Sequence, residues 1–584
     1  MPLRPSPLWQ LQEADPLAVA RLTAAGIAPL VAQLLVQRDL GELSVAQAFL
    51  APNLRDLPDP YRMADAQLAA ATIARAMQQG QRICVYGDYD VDGVTAAALL
   101  HDVFGKLAYP VQIFLPDRLR DGYGLHGERL AELVAQGVQL FIAVDCGSTA
   151  LAEIAQTRAA GCEFVVVDHH TLGATWPNAT ALLNPKRHDC TYPDKNLSAV
   201  GVALVLAQAL RRTLAGLQWP GAASLDMGDL VELAALGTIA DVVELRNVNR
   251  MLAWHGLRRL GKTGRLGLKA LAKKLPLDGI DAHRVGYHLG PKINAAGRIA
   301  DARTAFELLT ETDAGRAEDL ALRLDLHNNH RQDLTALVLQ EALAQAQMYV
   351  ESKDCVVVAG QGWHPGVVGI VAGRLREQFG VPSFALALDE DGLARGSGRS
   401  VSGLDLVAAL HAIEAGSAPI LKRFGGHAFA AGLTLAAEHV DSLRQRLAAH
   451  VALALPESER GEVYRIDAEL PVDQANLLTL QQIEQLEPFG KGNPAPLFLL
   501  RGVEVRDAKV VGKTQAYMRA KLHTPGRQPA WARPAVAAFA AIEPWAGAKS
   551  GDHIDAVIKL QRNHYQGTTT VQADVLAVRP AQSG

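Results

Sequence analysis

The 584-residue sequence is poor in several features that would fix its class at once. It has five cysteines, Cys84, Cys146, Cys162, Cys190 and Cys355, and no two have CxxC spacing. An odd, scattered set excludes a disulfide framework and a cysteine zinc site, and it fits thiols kept reduced. Aromatic residues are only 5% of the chain, so few rings are available for stacking. Charge of one sign is missing too. The 57 basic and 61 acidic side chains leave −4 with His neutral, which excludes a uniformly basic coat. Nucleic acid stays open as a partner, because a local basic stripe can supply the phosphate contacts. No apolar run reads as a bilayer span. The N-terminus, MPLRPSPLWQLQEADP, has Pro and acids where a secretory signal needs an apolar core. These absences lead to the expectation of a soluble, cytoplasmic protein without a membrane partner. What is present is ordinary globular composition, 49% hydrophobic and 20% charged, over a length that suits about four domains.

Residues 1–60 read as a helical segment interrupted by Pro. From Arg82 the pattern changes. RICVYG, QLFIAVD and CEFVVVD are short β-rich apolar runs, each followed by polar and Gly residues. Such runs fit strands buried on both faces of a parallel sheet. ALAEIAQTRAAG supplies a crossover helix between the second and third, so 61–260 read as a doubly wound α/β domain. Residues 261–350 read as a helical linker, with one long helix over 303–350 where Gly and Pro almost vanish. A second α/β segment opens at DCVVVAG and occupies 351–455. Strand alternation then returns in YRIDAEL, LFLLRGVEVRDAKVVG, YMRAKLH, HIDAVIKL and TTTVQADVLAV, and 456–584 read as a small β-barrel.

In an open parallel sheet, ligands gather beyond the carboxyl ends of the strands. The sequence places acids there. Asp88, Asp90 and Asp92 follow RICVYG, Asp145 follows FIAV, Asp168-His169-His170 follow FVVV, and Asp241 follows the apolar stretch VELAALGTIA. In extended chain, acids two apart point the same way, and carboxylates so close need a cation. Carboxylates with an imidazole suit Mn2+ or Mg2+. There are ligands enough for two ions sharing a bridging Asp, a pair that can activate water and stabilise the leaving oxygen of a phosphoryl displacement. The competing reading of DxDxDG is a calcium loop. Its twelfth position, counted from Asp88, is Leu99 rather than a bidentate Glu, and a strand precedes it. A solvated turn explains one acid but not acids at successive strand ends. His169 reads as a metal ligand, His170 as a phosphate or proton partner, and Asp168 as the group that orients both histidines.

GDYDVDG, VDCGS, VDHH and GTIADVVEL resemble four motifs of the DHH phosphoesterase superfamily, in order. PKINAAGR, WHPGVVGIVAGRL, GSGRS, FGGHAFAAG and LEPFGKGNPAPLF are further similar to the RecJ family of single-strand-specific exonucleases, and the likeness runs from about Leu50 to the C-terminus. The resemblance implies two α/β lobes, DHH and DHH-associated, joined by a long helix, with a C-terminal OB-fold barrel. It implies two divalent ions, Mn2+ or Mg2+, on Asp88, Asp90, Asp92, Asp145, His169 and Asp241, with Asp145 as the bridge. Many relatives place a His upstream of the first acid, where this chain has Tyr86. The catalytic set implied is His170, Asp145 and Asp168. Ser397, Arg399 and Arg118 match residues that hold a 5′ phosphate, and Asn294, Arg298 and His427 match further substrate contacts. Arginine forks suit phosphate oxygens, and Gly-rich backbone lets N–H groups approach an anion.

The barrel region carries a local charge bias. Arg501, Arg506, Lys509, Lys513, Arg519, Lys521, Arg527 and Arg533 face only Glu504 and Asp507, with Tyr517 and Trp531 interleaved. Basic strands with aromatics are how an OB-fold tracks a single strand. The expected function is 5′ to 3′ hydrolysis of single-stranded DNA to 5′ mononucleotides, by a monomer. The resemblance also implies work in recombination and mismatch repair beside a RecQ-type helicase and single-strand-binding protein. Two alternatives stand beside it. One is a DHH phosphodiesterase for short oligonucleotides or cyclic dinucleotides, which would not need the barrel. The other is a non-catalytic scaffold gripping single strands, which would be expected to have lost metal acids.

Overall fold

Short, mostly apolar runs of three to five residues form the central parallel sheet. Its order is Val111–Phe114, Ile83–Tyr86, Leu140–Val144, Glu163–Val167, Ala181–Leu183. Ile83 pairs with Leu140, and Leu140 with Glu163, so these strands end nearly in step. The residues just past them, from Gly87, from Asp145 and from Asp168, therefore leave the sheet along one edge. The strand order reverses beside Ile83–Tyr86, a topological switch point of the kind where α/β sheets bind ligands. The computed structural model describes residues 7–581 apart from 119, 274, 276–279, 349–353, 416–417, 457–462, 513–514, 527, 529–532 and 566.

Helices Val91–Lys106 and Ala199–Gly216 pack on this sheet with most of their side chains buried, and Val231–Ala240, buried along nearly its whole length, packs on those two helices. Ala199–Gly216 has 18 residues and a mean hydropathy of 1.3, so by length and composition it could cross a membrane. The sequence reading found no such run. Here the helix is mostly buried and supplies Val200 to Leu214 to the core of the lobe. VELAALGTIA is a helix, so Asp241 is a helix C-cap rather than a strand-end residue.

The expected long helix is two, Arg303–Thr310 and Ala314–Met348. Between them, Glu311 accepts from the N–H groups of Thr312 and Asp313 (2.8 and 2.9 Å) and Asp313 caps Arg316 (2.8 Å). These side chains replace the helical bonds of one turn and restart the helix. The following sheet has the order Leu421–His427, Ala430–Ala436, Leu393–Arg399, Ser383–Leu388, Val356–Gln361. Only its last pair is parallel.

The described residues form two units, one of residues 54–456 with 490–492, the other of residues 7–53 with 463–489 and 493–581. The N-terminal segment read as helical and separate contains a strand, Leu8–Leu11, paired in parallel with Val463–Ile466. Its Leu22, Val31, Leu34 and Leu35 share a core with the barrel residues Phe498 and Leu500. In the barrel, Phe498–Val511 pairs with both Tyr517–His523 and His553–Tyr565, which closes the sheet on itself.

Candidate metal centre and phosphate pocket

The first acidic motif is a helix start, not extended chain. Asp90 is the N-cap of Val91–Lys106, and its Oδ1 accepts from Asp92 and Gly93 N–H (2.9 and 3.2 Å). Asp92, in the first turn, accepts from Ala199 and Val200 N–H (2.6 and 2.9 Å) at the start of helix Ala199–Gly216. Asp90 and Asp92 therefore reach separate partners. Asn294 takes part here as well. Its Oδ1 accepts from Val91 N–H (3.1 Å), so it braces the motif that the sequence reading had it serve as a substrate contact beside.

Ligand atoms of Asp88, Asp90 and Asp145 lie within 4.8 Å of one another, as do those of Asp92, His169 and Asp241, and those of Asp145, His169 and His170. His169 Nε2 stands 3.4 Å from Asp145 Oδ1, 3.6 Å from Asp241 Oδ2 and 3.9 Å from Asp92 Oδ2. Asp145 joins the first group to the histidines, the place of a bridging ligand. Its backbone has φ 63°, a left-handed conformation, and Gly147 follows at φ 108°. The reversal turns the chain at the strand end.

Two observations test whether divalent ions fit. Asp88 Oδ1 and Asp145 Oδ1 are buried without a hydrogen-bond partner, which a cation would satisfy. The carboxylates also repel. Burial and Asp90 hold Asp88 well above the usual carboxylate range, and burial and Asp90 push Asp92 up to about 7. Burial and the surrounding aspartates raise Asp145 and Asp241 as well. Oxygen donors with one imidazole are the set that Mn2+ and Mg2+ take, so the residues fit two such ions.

Asp168 behaves differently. Its Oδ1 accepts from His169 N–H (2.7 Å), His170 N–H (3.2 Å) and His170 Nδ1 (2.8 Å), and its Oδ2 from Ser148 N–H (3.0 Å). Although burial opposes ionisation, the His170 hydrogen bond and both imidazoles hold Asp168 far below the usual range. For His170, burial acts to lower the imidazole, yet Asp168 outweighs it and pushes His170 up to about 9. For His169, burial and His170 press the ring down to about 3, leaving it neutral as a ligand must be. The Tyr123 hydroxyl lies 3.1 Å from His170 Nδ1 and donates to the Asp145 carbonyl (3.2 Å), a contact that sequence reasoning missed.

The residues expected to hold a terminal phosphate come together on the mixed sheet. Ser397 pairs with Gly432 and Arg399 with Ala430, which in turn pairs with His427. Residues directly opposed across antiparallel strands share a face. Gly432 and Ala430 thus leave a trough among Ser397, Arg399 and His427. Gly369, at the start of helix Val368–Phe379, lies over it. A Cβ there would stand 3.2 Å from the Arg399 guanidinium and 3.3 Å from Ser397 Oγ. Arg298 reaches the Gly366 carbonyl (3.4 Å), and Arg118 lies over the Tyr89 ring at 5.0 Å. Arg331, on the second linker helix, joins them and was not foreseen. It donates to Asn328 (3.0 Å). Among the described residues, Arg118, Arg298, Arg331 and Arg399 have no carboxylate ion pair, although Asp90 acts on Arg298 and Arg118 on Asp88. Burial and the three other arginines bring Arg298 down to about 10. Guanidinium groups gathered without acids form an anion site.

The barrel's basic stripe is partly neutralised. Glu469 pairs with Arg501, Glu504 with both Arg506 and Arg533, and Asp507 with Lys521 (3.0 Å). Lys509 and Arg519 lie across from each other in register. Tyr517 stacks on Phe539 at 5.3 Å and 11°, beside them. Lys513, Arg527 and Trp531 lie outside the described residues.

Residues 82–238 match the DHH family, N-terminal domain, residues 352–452 the DHHA1 domain, and residues 466–576 the RecJ OB domain. The chain is 37% identical to the single-stranded-DNA-specific exonuclease RecJ of Bacillus subtilis over 89% of its own length. It spans 65% of that relative. It is 38% identical to the protein of the same name from Dickeya dadantii, covering 77% of this chain and 80% of the relative. The crystal structure of RecJ in complex with Mn2+ from Thermus thermophilus superposes with a TM-score of 0.82 at 30% identity, over 99% of this chain and 80% of that one.

Proposed function

The chain belongs to the RecJ family of single-stranded-DNA-specific exonucleases, and from that membership we propose that it degrades single-stranded DNA from the 5′ end, releasing 5′ mononucleotides with the help of two divalent ions, Mn2+ or Mg2+. The observation that carries this is one juxtaposition. A buried carboxylate cluster with orphaned oxygens adjoins a set of arginines that, among the described residues, make no carboxylate ion pair. The first wants cations, the second wants phosphate.

Asp88, Asp90 and Asp145 would hold one ion, and Asp92, Asp145, His169 and Asp241 the other. Such ions, when bound, supply activation of water and stabilisation of charge on phosphoryl oxygens. The protein supplies the rest. Ser397 and Arg399 dock the terminal phosphate and set the register of the strand. Arg118 and Arg298 neutralise charge beside it. Asp168 fixes His170 through Nδ1, so that Nε2 carries its proton toward the scissile phosphate. The stacked Tyr517–Phe539 pair with Lys509 and Arg519 offers bases a platform and phosphates a charge.

The reading extends to a cytoplasmic monomer working in recombination and mismatch repair with a RecQ-type helicase and single-strand-binding protein. Sedimentation and co-purification test those parts. The chemistry is tested by a time course on a 5′-phosphorylated single strand, labelled at each end in turn, with Mn2+ or with EDTA, beside a blunt duplex. Metal-dependent mononucleotides from the 5′ end of the single strand alone are expected. Binding without cleavage would overturn the enzymatic reading, and cleavage of dinucleotides alone would point to a small-substrate relative.

A further inference from the structure

Two ammonium groups near the acidic cluster have no part in the mechanism above. Lys186 follows the last parallel strand, Ala181–Leu183. Its backbone N–H donates to Asn184 Oδ1 (2.9 Å), while Asn184 Nδ2 donates to the His170 carbonyl and to Ser148 Oγ (both 2.9 Å). The root of Lys186 is thereby fixed to the corner that holds His170 and Asp168.

Lys491 arrives from the loop Gly490–Gly492, which is clamped to the segment after Asp241. Leu245 N–H donates to the Lys491 carbonyl (2.8 Å), and Arg246 Nε to the Gly492 carbonyl (2.7 Å). Small residues keep the approach close, and at Gly492 the left-handed backbone favours glycine. A Cβ at Gly490 would stand 2.7 Å from Leu245 Cδ1. One at Gly492, where φ is +76°, would stand 3.0 Å from Glu244 Cβ.

Both lysines are exposed, and among the described residues neither has a carboxylate ion pair. They lie within electrostatic reach of each other, of Asp241 and of His427. The strongest charges on Arg298 are instead Arg118, Arg399, Arg331 and Asp90. The acids thus have two cationic neighbourhoods, one of arginines and one of lysines. His427 feels Arg399 from the first and both lysines from the second.

We propose that Lys186 and Lys491 form a second phosphate subsite, which binds the phosphodiester on the 3′ side of the scissile one. This rests on the exonuclease reading. With the terminal phosphate on Arg399 and the scissile phosphate at the acids, the next phosphate meets the lysine pair. The residue types match the two tasks. An arginine fork fixes a phosphate in one orientation, which suits the terminal group that sets the register. An ammonium is a compact charge without a fork, which suits a phosphate that is released and replaced by the next after each cut.

The test compares 5′-phosphorylated di- and trinucleotides. Only the trinucleotide has a phosphodiester 3′ to the first scissile one. Lys186→Gln/Lys491→Gln is expected to lower kcat/KM on the trinucleotide at least about tenfold more than on the dinucleotide, the loss of both ammonium contacts to one phosphate. In the unaltered enzyme, a neutral methylphosphonate at that third position should reproduce the differential loss. In the double variant the same methylphosphonate should cost little more. Equal losses on both substrates, or no sensitivity to the methylphosphonate, would overturn the subsite while leaving the exonuclease intact. Failure of the unaltered enzyme to cut either substrate or a longer strand would overturn both readings. Circular dichroism of the double variant, and the two single variants, separate a folding defect from a binding one.

Discussion

The central carboxylate is asked to do two things that conflict in a metal-free protein. Asp145 is buried, stands among four other aspartates and adopts a left-handed backbone. Asn tolerates that backbone and keeps the side-chain shape, but it removes the charge. Asp145→Asn should therefore lower single-strand hydrolysis by at least about 10²–10³-fold while raising the melting temperature in EDTA. Near-normal turnover by this variant would sink the bridging role. Asp145→Ala should also abolish hydrolysis with the far-ultraviolet circular dichroism preserved. Asp168 makes a contrasting case, because its oxygens are spent on Ser148, His169 and His170 rather than left open. Asp168→Asn should slow single-turnover cleavage of saturating strand by about 10²–10⁴-fold, the range of a lost acid–base partner. The acids and histidines were legible in the sequence because each follows an apolar run. Tyr123, Asn184 and Arg331 were not, since nothing in their own neighbourhood marks them.

At the scale of elements, the helix Gly290–Ile299 is pressed against the first acidic motif. A Cβ at Gly297 would stand 2.3 Å from the Tyr89 carbonyl oxygen, between Asp88 and Asp90. Backbone cannot yield as a flexible side chain can. Gly297→Ala should cost about 1–3 kcal/mol in chemical denaturation and weaken Mn2+ binding measured by calorimetry. Unchanged metal affinity would show that the motif does not depend on this support. Element types were read well where periodicity was clear, as in the parallel strands. The acidic motif was misread as extended chain, because Asp at an N-cap and Asp after a strand look alike locally. VELAALGTIA misled for another reason: a helix buried on all sides has the same uninterrupted apolar composition as a buried strand.

For the whole molecule, the carboxylate cluster links stability to pH and metal. Asp88, Asp92, Asp145 and Asp241 have folded-state values raised above the unfolded ones, Asp92 to about 7. The folded protein then holds more protons than the unfolded chain, so their contribution falls as pH rises above the unfolded value of 3.8. His169, depressed to about 3, works the other way by one proton below 6.5. The acids outnumber it. In EDTA the unfolding free energy should fall between about pH 5 and 7, by about 1.4 kcal/mol per pH unit for each net proton, and the melting temperature should fall with it. Mn2+ should raise it, and raise it more at pH 7 than at pH 5, because ligands must be ionised to bind. A flat profile in EDTA would mean that the acids do not repel as their positions require.

The sequence by itself determined the three central strands of the parallel sheet, the order of the domains and the acids at the sheet's edge, since those follow from local hydrophobic pattern and short motifs. Tertiary structure alone decided that residues 7–53 pack with the barrel, that Asn294 braces Val91, and that four arginines from four separate segments gather without a carboxylate ion pair among the described residues. The physical reason is the range of the interaction. Periodicity reports which face of an element is buried. Charge neutralisation and close backbone approach depend on partners hundreds of residues away, and only the folded chain brings those together.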